Sequence, residues 1–178
     1  MELVLIRHTA CAIATDVCYG QLDVPLSASA CADIALTLTK VPPIRAVFSS
    51  PAVRCVTLAE RLAQRDRCEL MLLDELHELS FGAWEGQRWD LVSRVDSDHW
   101  AADPWHRAPP GGESEAELFA RVQSAHRTIV SYGAPRAAIV AHGGPLRLMR
   151  CLILDRPLGE RWNWSIAQGD VERLLQPA

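Results

Sequence analysis

Continuous apolar runs alternate along the chain with stretches whose apolar positions recur at helical spacing. The strand-like runs cover residues 3–6, 44–48, 69–73 and 137–141. A short, uninterrupted apolar run is typical of a strand that is buried on both faces of a sheet. Regular alternation of such runs with helices predicts an α/β protein: a three-layer α/β/α sandwich with a mostly parallel central sheet.

Local signals predict where the covering helices begin and end. Ser27 is the expected N-cap of the first helix, and Pro42 and Pro43 are expected to end it, because proline cannot continue a helix. After the second strand, Ser50 is the expected N-cap, with Pro51 at the first helical position. The predicted inward face of this second helix comprises Val53, Val56, Ala59, Leu62 and Ala63.

A third helix is predicted to begin after Ser114, because Glu117 stands three residues later and completes a capping box. A fourth follows the last strand, with Leu146, Met149 and Leu152 on one face. Residues 96–112 are rich in Asp, Trp, Pro and Gly without a clear period, which predicts a long irregular loop.

Length and charge exclude several classes of protein. The 178 residues suffice for one domain, expected to span residues 1–178, with a core that needs no disulfides. The formal net charge of −4 argues against a nucleic-acid partner. Six scattered cysteines without a CxxC pair predict reduced thiols in a cytoplasmic protein. No membrane partner is expected, since the apolar runs are too short for a span, and nothing indicates an oligomeric state.

Candidate chemistry is concentrated where predicted strands end. Arg7 and His8 follow the first strand, Arg54 follows the second within about one helical turn, and His142 follows the fourth. Residues after the carboxyl ends of strands in an α/β sheet face the ligand crevice. Guanidinium groups, imidazole groups and helix N-termini all bind anions. If these strands are neighbours in the sheet, the residues form one positively charged pocket.

Four motifs together make a family resemblance specific. LIRHT, SSPAVR, LHELSFGAWEG and VAHGG occur in that order and extend over nearly the whole chain. They resemble the histidine phosphatase superfamily, also called phosphoglycerate mutase-like, and imply its fold. The opening segment RHTACAIATDVCYGQLDVPLS is most similar to the α-ribazole phosphatase branch, which acts in assembling the nucleotide loop of cobalamin.

The resemblance implies a role for each matching residue. His8 would be the nucleophile that forms a transient phosphohistidine, while Arg7, Arg54 and His142 would hold the phosphoryl oxygens. Glu78 would give a proton to the leaving oxygen and then take one from water. Two guanidiniums and an imidazole can neutralise a phosphoryl group without metal, so no metal and no other cofactor is expected.

Glu85 is the alternative to Glu78 if the register of the motif is misread. A neutral His8 is also required for attack. We expect a hydrogen bond from its other ring nitrogen, most simply to a backbone carbonyl, to fix its tautomer.

The segment after His8 departs from the common family pattern. Many members carry Asn six residues after the nucleophile, where this chain has Ala14. One phosphate donor is therefore missing. Substrate contacts are expected instead from the remaining polar or backbone groups near the two histidines, namely Thr9, Tyr19, Gly20, Gln21 and Gly143.

Other functions remain open at this level. A broad phosphosugar or phosphoglycerate phosphatase, or a mutase, would use the same residues, and a phospho-ligand binding module would keep the pocket without turnover. A metal site formed by His99 and His106 with nearby Asp98 and Asp103 is disfavoured by their irregular spacing. Trp100 and Trp105 are predicted to line the pocket mouth and stack on an aromatic leaving group.

Overall fold

A single five-stranded sheet organises the computed structural model, which describes residues 1–177. Its strands are β1 (Glu2–Arg7), β2 (Ala46–Ser49), β3 (Glu69–Leu72), β4 (Arg136–Ala141) and β5 (Val171–Leu175). Their order is β3-β2-β4-β1-β5. All neighbours are parallel except β5, which pairs antiparallel with β1. The predicted, mostly parallel α/β fold is confirmed, whereas the antiparallel edge strand was not predicted.

Helices cover both faces of the sheet. They are α1 (Ala30–Lys40), α2 (Val53–Asp66), α3 (Arg94–Ala102), α4 (Glu115–Tyr132) and α5 (Gly143–Leu154). Successive side chains of β1 point to opposite faces: Leu3 and Leu5 pack in the cluster that includes α4 and α5, and Val4 and Ile6 pack in the cluster that includes α1 and α2. This alternation explains why the first strand is apolar throughout.

The first two helices begin later than the sequence predicts. The N-cap of α1 is Ser29 rather than Ser27, and the Ser29 hydroxyl donates to the Asp33 carboxylate. Helix α1 ends before Pro42, as predicted. Helix α2 begins at Val53, and its N-cap is Ala52 rather than Ser50.

The inward face of α2 is rotated relative to the prediction. Val53 is 50% exposed, while Arg54 is fully buried together with Cys55 and Leu58. The cause lies at the start of the helix: Ala52 is still extended, with φ −58° and ψ 134°. The helix therefore starts two residues later and turns the arginine toward the sheet.

Residues 96–112 are less irregular than predicted, because α3 includes the first part of this segment. The Ser93 side chain caps α3 by accepting from the backbone N–H of Asp96. The capping box of α4 is confirmed, since Ser114 and Glu117 each accept the other's backbone N–H. Within residues 1–177, no helix is long and apolar enough to cross a membrane.

The register of the three central strands places the candidate residues side by side. Arg7 of β1 lies opposite Ala141 of β4, and Ser49 of β2 lies opposite Val140. The next residues along the chain are therefore His8, His142 and Ser50, which leave the sheet at the same edge.

Candidate active site

His8 is held in one orientation at the carboxyl end of β1. Its side chain is 1% exposed, and its Nδ1 lies 2.8 Å from the backbone oxygen of Thr9. A carbonyl oxygen can only accept, so Nδ1 carries the proton and donates it. The lone pair is therefore on Nε2, and the predicted backbone partner is confirmed.

The surroundings of His8 favour the neutral imidazole. Burial is the main cause that lowers its pKa from 6.5 to about 3, and the charges of Arg54 and Arg7 act in the same direction. The hydrogen bond to Thr9 opposes them but does not restore the ordinary value. A neutral ring at neutral pH is the form that can act as a nucleophile.

This low pKa predicts how stability depends on pH. Between pH 6.5 and 3 the unfolded chain binds a proton at His8 that the folded protein does not, so the free energy of unfolding falls as the pH falls through this range. In H8N this contribution is absent. We expect its stability to fall less steeply, by up to about 1.4 kcal/mol per pH unit, which is the value for one proton. Urea denaturation of both proteins at a series of pH values measures the slopes, and equal slopes would contradict the prediction.

Arg7 and Thr9 present buried polar atoms without partners. Arg7 Nη1 donates to the backbone oxygen of Ile166 at 3.0 Å, which fixes the guanidinium. Its Nε and the Thr9 Oγ1 are buried and form no hydrogen bond with any of residues 1–177. Buried polar atoms without partners are rare and destabilising, so these two fit a site that is completed by an oxygen-rich ligand.

Arg54 and His142 form one buried unit beside His8. Arg54 Nε donates to His142 Nδ1 at 3.2 Å, and the other two nitrogens donate to the backbone oxygens of Leu22 (2.8 Å) and Gly20 (2.6 Å). His142 Nε2 lies 2.9 Å from Ser50 Oγ, and burial is the main cause that lowers the pKa of His142 well below 6.5. Both nitrogens of His142 are thus engaged within the protein, while its ring meets His8 edge-on at 5.2 Å.

Glu78 and Glu85 occupy different environments. Glu78 lines the cleft next to Arg7, and its carboxylate accepts from the backbone N–H of Gly144 at the start of α5 (3.2 Å). A side chain at Gly144 would collide with this carboxylate. Glu85 instead accepts from the backbone N–H groups of Gln21 (3.0 Å) and Phe81 (2.9 Å), which ties its carboxylate to the loop. The geometry favours Glu78 over Glu85 as the acid at this site.

A cleft of about 630 Å³ opens in front of these residues. Several residues singled out from the sequence line it, namely Arg7, Ala14, Tyr19, Gly20 and Glu78. The Tyr19 ring lies 5.2 Å from the Arg54 guanidinium. Gln21 does not line the cleft; its side chain donates to the backbone oxygen of Glu78 at 3.0 Å and so holds the segment that carries Glu78. Gly143 lies against the Arg7 guanidinium, where a larger residue would come into contact.

Sequence reasoning missed two kinds of neighbour. Gly169, at φ +75°, donates its N–H toward the backbone oxygens of Arg7 and His8 (3.1 Å each), so the C-terminal segment supports the strand end. No motif marked that segment. Cys11 lines the cleft with its Sγ 3.8 Å from His8 Nδ1, and burial raises the pKa of its thiol.

The loop residues considered for other roles, Trp100 included, do not line this cleft. His106 pairs with Asp103 at 3.0 Å, and no cluster of three or more potential metal ligands occurs in the described part of the chain. Trp105 packs on Phe119, with ring centroids 5.7 Å apart, and does not line the cleft, contrary to the prediction. Its ring is held between Phe119 and the Arg161 guanidinium, which lies 5.5 Å from the ring centroid.

Comparison with known proteins shows the family of this chain. The chain belongs to the histidine phosphatase superfamily (branch 1), whose family model matches residues 3–176. The crystal structure of the alpha-ribazole phosphatase from Shigella flexneri has the same fold, with a TM-score of 0.88 over 99% of this chain and 96% of that chain at 23% identity.

Curated relatives differ in their named substrates. A putative phosphoserine phosphatase 2 of Hydrogenobacter thermophilus is 30% identical over 120 residues, which are 66% of this chain and 59% of the relative. An adenosylcobalamin/alpha-ribazole phosphatase of Escherichia coli is 25% identical over 176 residues, 95% of this chain and 87% of the relative. The chain covers only 33% of the length of three longer mycobacterial relatives.

Proposed function

We propose that the protein is a phosphoric monoester hydrolase that acts through a phosphohistidine on His8. The observation that carries the proposal is the His8–Thr9 hydrogen bond: it leaves the Nε2 lone pair of a neutral, buried imidazole available for attack. An immobile nucleophile beside two guanidiniums provides the positioning and charge neutralisation that phosphoryl transfer requires.

The reaction proceeds in two steps: the phosphoryl group is transferred first to His8 and then to water. In the first, His8 Nε2 bonds to phosphorus, the bond to the leaving oxygen breaks, and the Glu78 carboxyl gives that oxygen its proton. The Thr9 carbonyl continues to accept from Nδ1 and stabilises the positive charge on the phosphorylated ring. In the second, water attacks phosphorus, Glu78 takes a proton from it, and the P–N bond breaks to release inorganic phosphate.

The phosphoryl oxygens are held by a short list of donors. Arg7 Nε and Thr9 Oγ1 are the buried groups that lack partners, and Thr9 thereby compensates for the Asn that is replaced by Ala14. Arg54 contributes its charge. His142 keeps the Arg54 guanidinium in place through the 3.2 Å contact, and direct contact of His142 with phosphate stays a prediction.

We propose α-ribazole 5′-phosphate as the substrate, which would place the enzyme in cobalamin nucleotide-loop assembly. The opening segment from Arg7 to Ser27 supports this choice, as do the alpha-ribazole phosphatases among the relatives. The phosphoserine phosphatase relative supports a small carboxylated phosphoester as the second candidate.

Comparison of kcat/KM tests this assignment, because discrimination between substrates is expressed in that ratio. We expect α-ribazole 5′-phosphate to exceed O-phosphoserine, 3-phosphoglycerate and ribose 5-phosphate by about 100-fold or more. A higher kcat/KM for phosphoserine or phosphoglycerate would change the proposed substrate but not the proposed class of reaction. Failure to hydrolyse any of them would favour the phospho-ligand binding module.

A further inference from the structure

A second, smaller cavity lies on the far side of Glu78 from the Arg7 cleft. It has a volume of about 120 Å³, and its walls include Glu78, Phe81, Trp100, Gly144, Arg147 and Trp162. We call it the Trp100–Arg147 pocket. Glu78 and Phe81 also line the main cleft, so the two spaces meet at the carboxylate that protonates the leaving oxygen. The pocket is therefore within reach of a substituent on that oxygen.

Two residues of the pocket wall carry buried hydrogen-bond donors that have no acceptor. Trp100 Nε1 and Arg147 Nε are inaccessible to solvent and unpaired with any of residues 1–177. Indole and guanidinium N–H groups donate and never accept. A ligand that satisfies them must therefore supply an oxygen or nitrogen acceptor.

The charges around the pocket balance once Glu78 has given up its proton. Arg161 is ion-paired with Glu115, which leaves the charge of Arg147 to offset the Glu78 carboxylate that forms when the proton is transferred. An anionic substituent would add a second negative charge beside Glu78 at that step, whereas an uncharged one would not. The pocket therefore favours an uncharged acceptor over a carboxylate.

The walls and the volume favour a flat ring. Phe81 and Trp100 meet edge-on at 5.8 Å, and the Arg147 guanidinium stacks on Trp162 at 4.9 Å. Aromatic faces of this kind pack well against another aromatic ring. A closed apolar cavity of about 150 Å³ holds benzene, so a partly open pocket of comparable size accommodates one six-membered ring.

We propose that the Trp100–Arg147 pocket binds the leaving group as an uncharged aromatic ring whose acceptor atom pairs with Trp100 Nε1 or Arg147 Nε. This inference rests on the proposed function, because the ring that enters the pocket is carried by the alcohol that His8 and Glu78 release. Trp100 and Arg147 then determine which phosphoesters are hydrolysed efficiently.

Benzyl phosphate and the 3- and 4-pyridylmethyl phosphates test the proposal. The three esters have the same shape, but only the pyridyl esters carry a ring nitrogen that accepts a hydrogen bond. At neutral pH we expect the better pyridyl ester to exceed benzyl phosphate in kcat/KM by about tenfold. In the variant that removes the paired donor, R147M or W100F, the ratio of pyridyl to benzyl ester in kcat/KM should fall toward one. R150M is the matched control: Arg150 lies on the same helix, stacks on Trp164 at 5.2 Å and does not line the pocket, so the ratio should be unchanged.

The outcomes separate the two proposals. Hydrolysis of benzyl phosphate without a preference for either pyridyl ester overturns the assignment of the pocket and leaves the phosphatase reaction standing. Faster hydrolysis of 4-carboxybenzyl phosphate than of either pyridyl ester also overturns it, since the pocket would then select a carboxylate. No hydrolysis of benzyl phosphate or of the pyridyl esters, with α-ribazole 5′-phosphate still hydrolysed, overturns this inference alone. No hydrolysis of any of these esters by the wild-type protein overturns the proposed function as well.

Discussion

Replacing His8 with Asn is expected to lower kcat/KM by at least about 10⁴-fold, because no other group at the site can accept the phosphoryl group. The Asn amide is close to imidazole in size and can still donate toward the Thr9 carbonyl, so the fold should persist. Steady-state turnover of an aryl phosphate measures the loss. Rapid quenching into alkali, where phosphohistidine survives, should trap labelled protein from the wild type and none from H8N.

His126 provides the matched control for that substitution. It is also partly buried and hydrogen-bonded, with its Nε2 2.7 Å from the Gln176 side chain, but it belongs to α4 and not to a strand end. H126N should retain wild-type turnover and the trapped phosphoprotein. Near-normal turnover by a folded H8N, or equal labelling of both variants, would refute the phosphohistidine mechanism.

The main architecture could be predicted because the buried strands are continuous and apolar. The strand that escaped prediction, β5, lies at the sheet edge and carries Glu172 and Arg173 within its five residues. Edge strands often carry charged side chains, which removes the apolar signal that marks a central strand. Its antiparallel pairing with β1 depends on the tertiary structure and has no local motif.

The burial of Arg54 shows where the helical pattern misleads. Periodicity did not include Arg54 in the predicted inward face of α2, which began with Val53. In the structure Ala59 and Leu62 of that face are buried as predicted, but Arg54 replaces Val53, because the buried guanidinium is paired with two backbone oxygens and His142. A charged side chain is buried only where such partners exist, and these partners lie 30 or more residues away in sequence.

The candidate site was predictable to the extent that it follows strand ends. Arg7, His8 and His142 leave β1 and β4, which are neighbours in the sheet, so their convergence follows from the parallel order. The supporting contacts from Ile166 and Gly169 come from the C-terminal segment instead. Ile166 contributes only a backbone oxygen, so its identity carried no signal. The φ of +75° favours glycine at position 169, but a single glycine in the sequence does not identify the contacts that it makes.

Arg54→Lys is expected to reduce both stability and activity, since one ammonium cannot replace a planar guanidinium that donates in three directions. Lysine would leave the buried backbone oxygen of Gly20 or the part-buried one of Leu22 without its donor, and losing the partner of a buried oxygen costs about 1–3 kcal/mol. The same change releases His142 and moves the positive charge away from the phosphoryl oxygens. We expect kcat/KM to fall by about 10²–10³-fold.

Chemical denaturation and steady-state kinetics of R54K measure the two effects. R61K is the matched control, because Arg61 lies two turns further along α2 and is exposed, so both quantities should stay close to wild type. If R54K loses stability but keeps wild-type kcat/KM, Arg54 only anchors the Gly20–Leu22 loop. If both fall while R61K is unchanged, the buried guanidinium links the folding of that loop to the charge that the reaction needs.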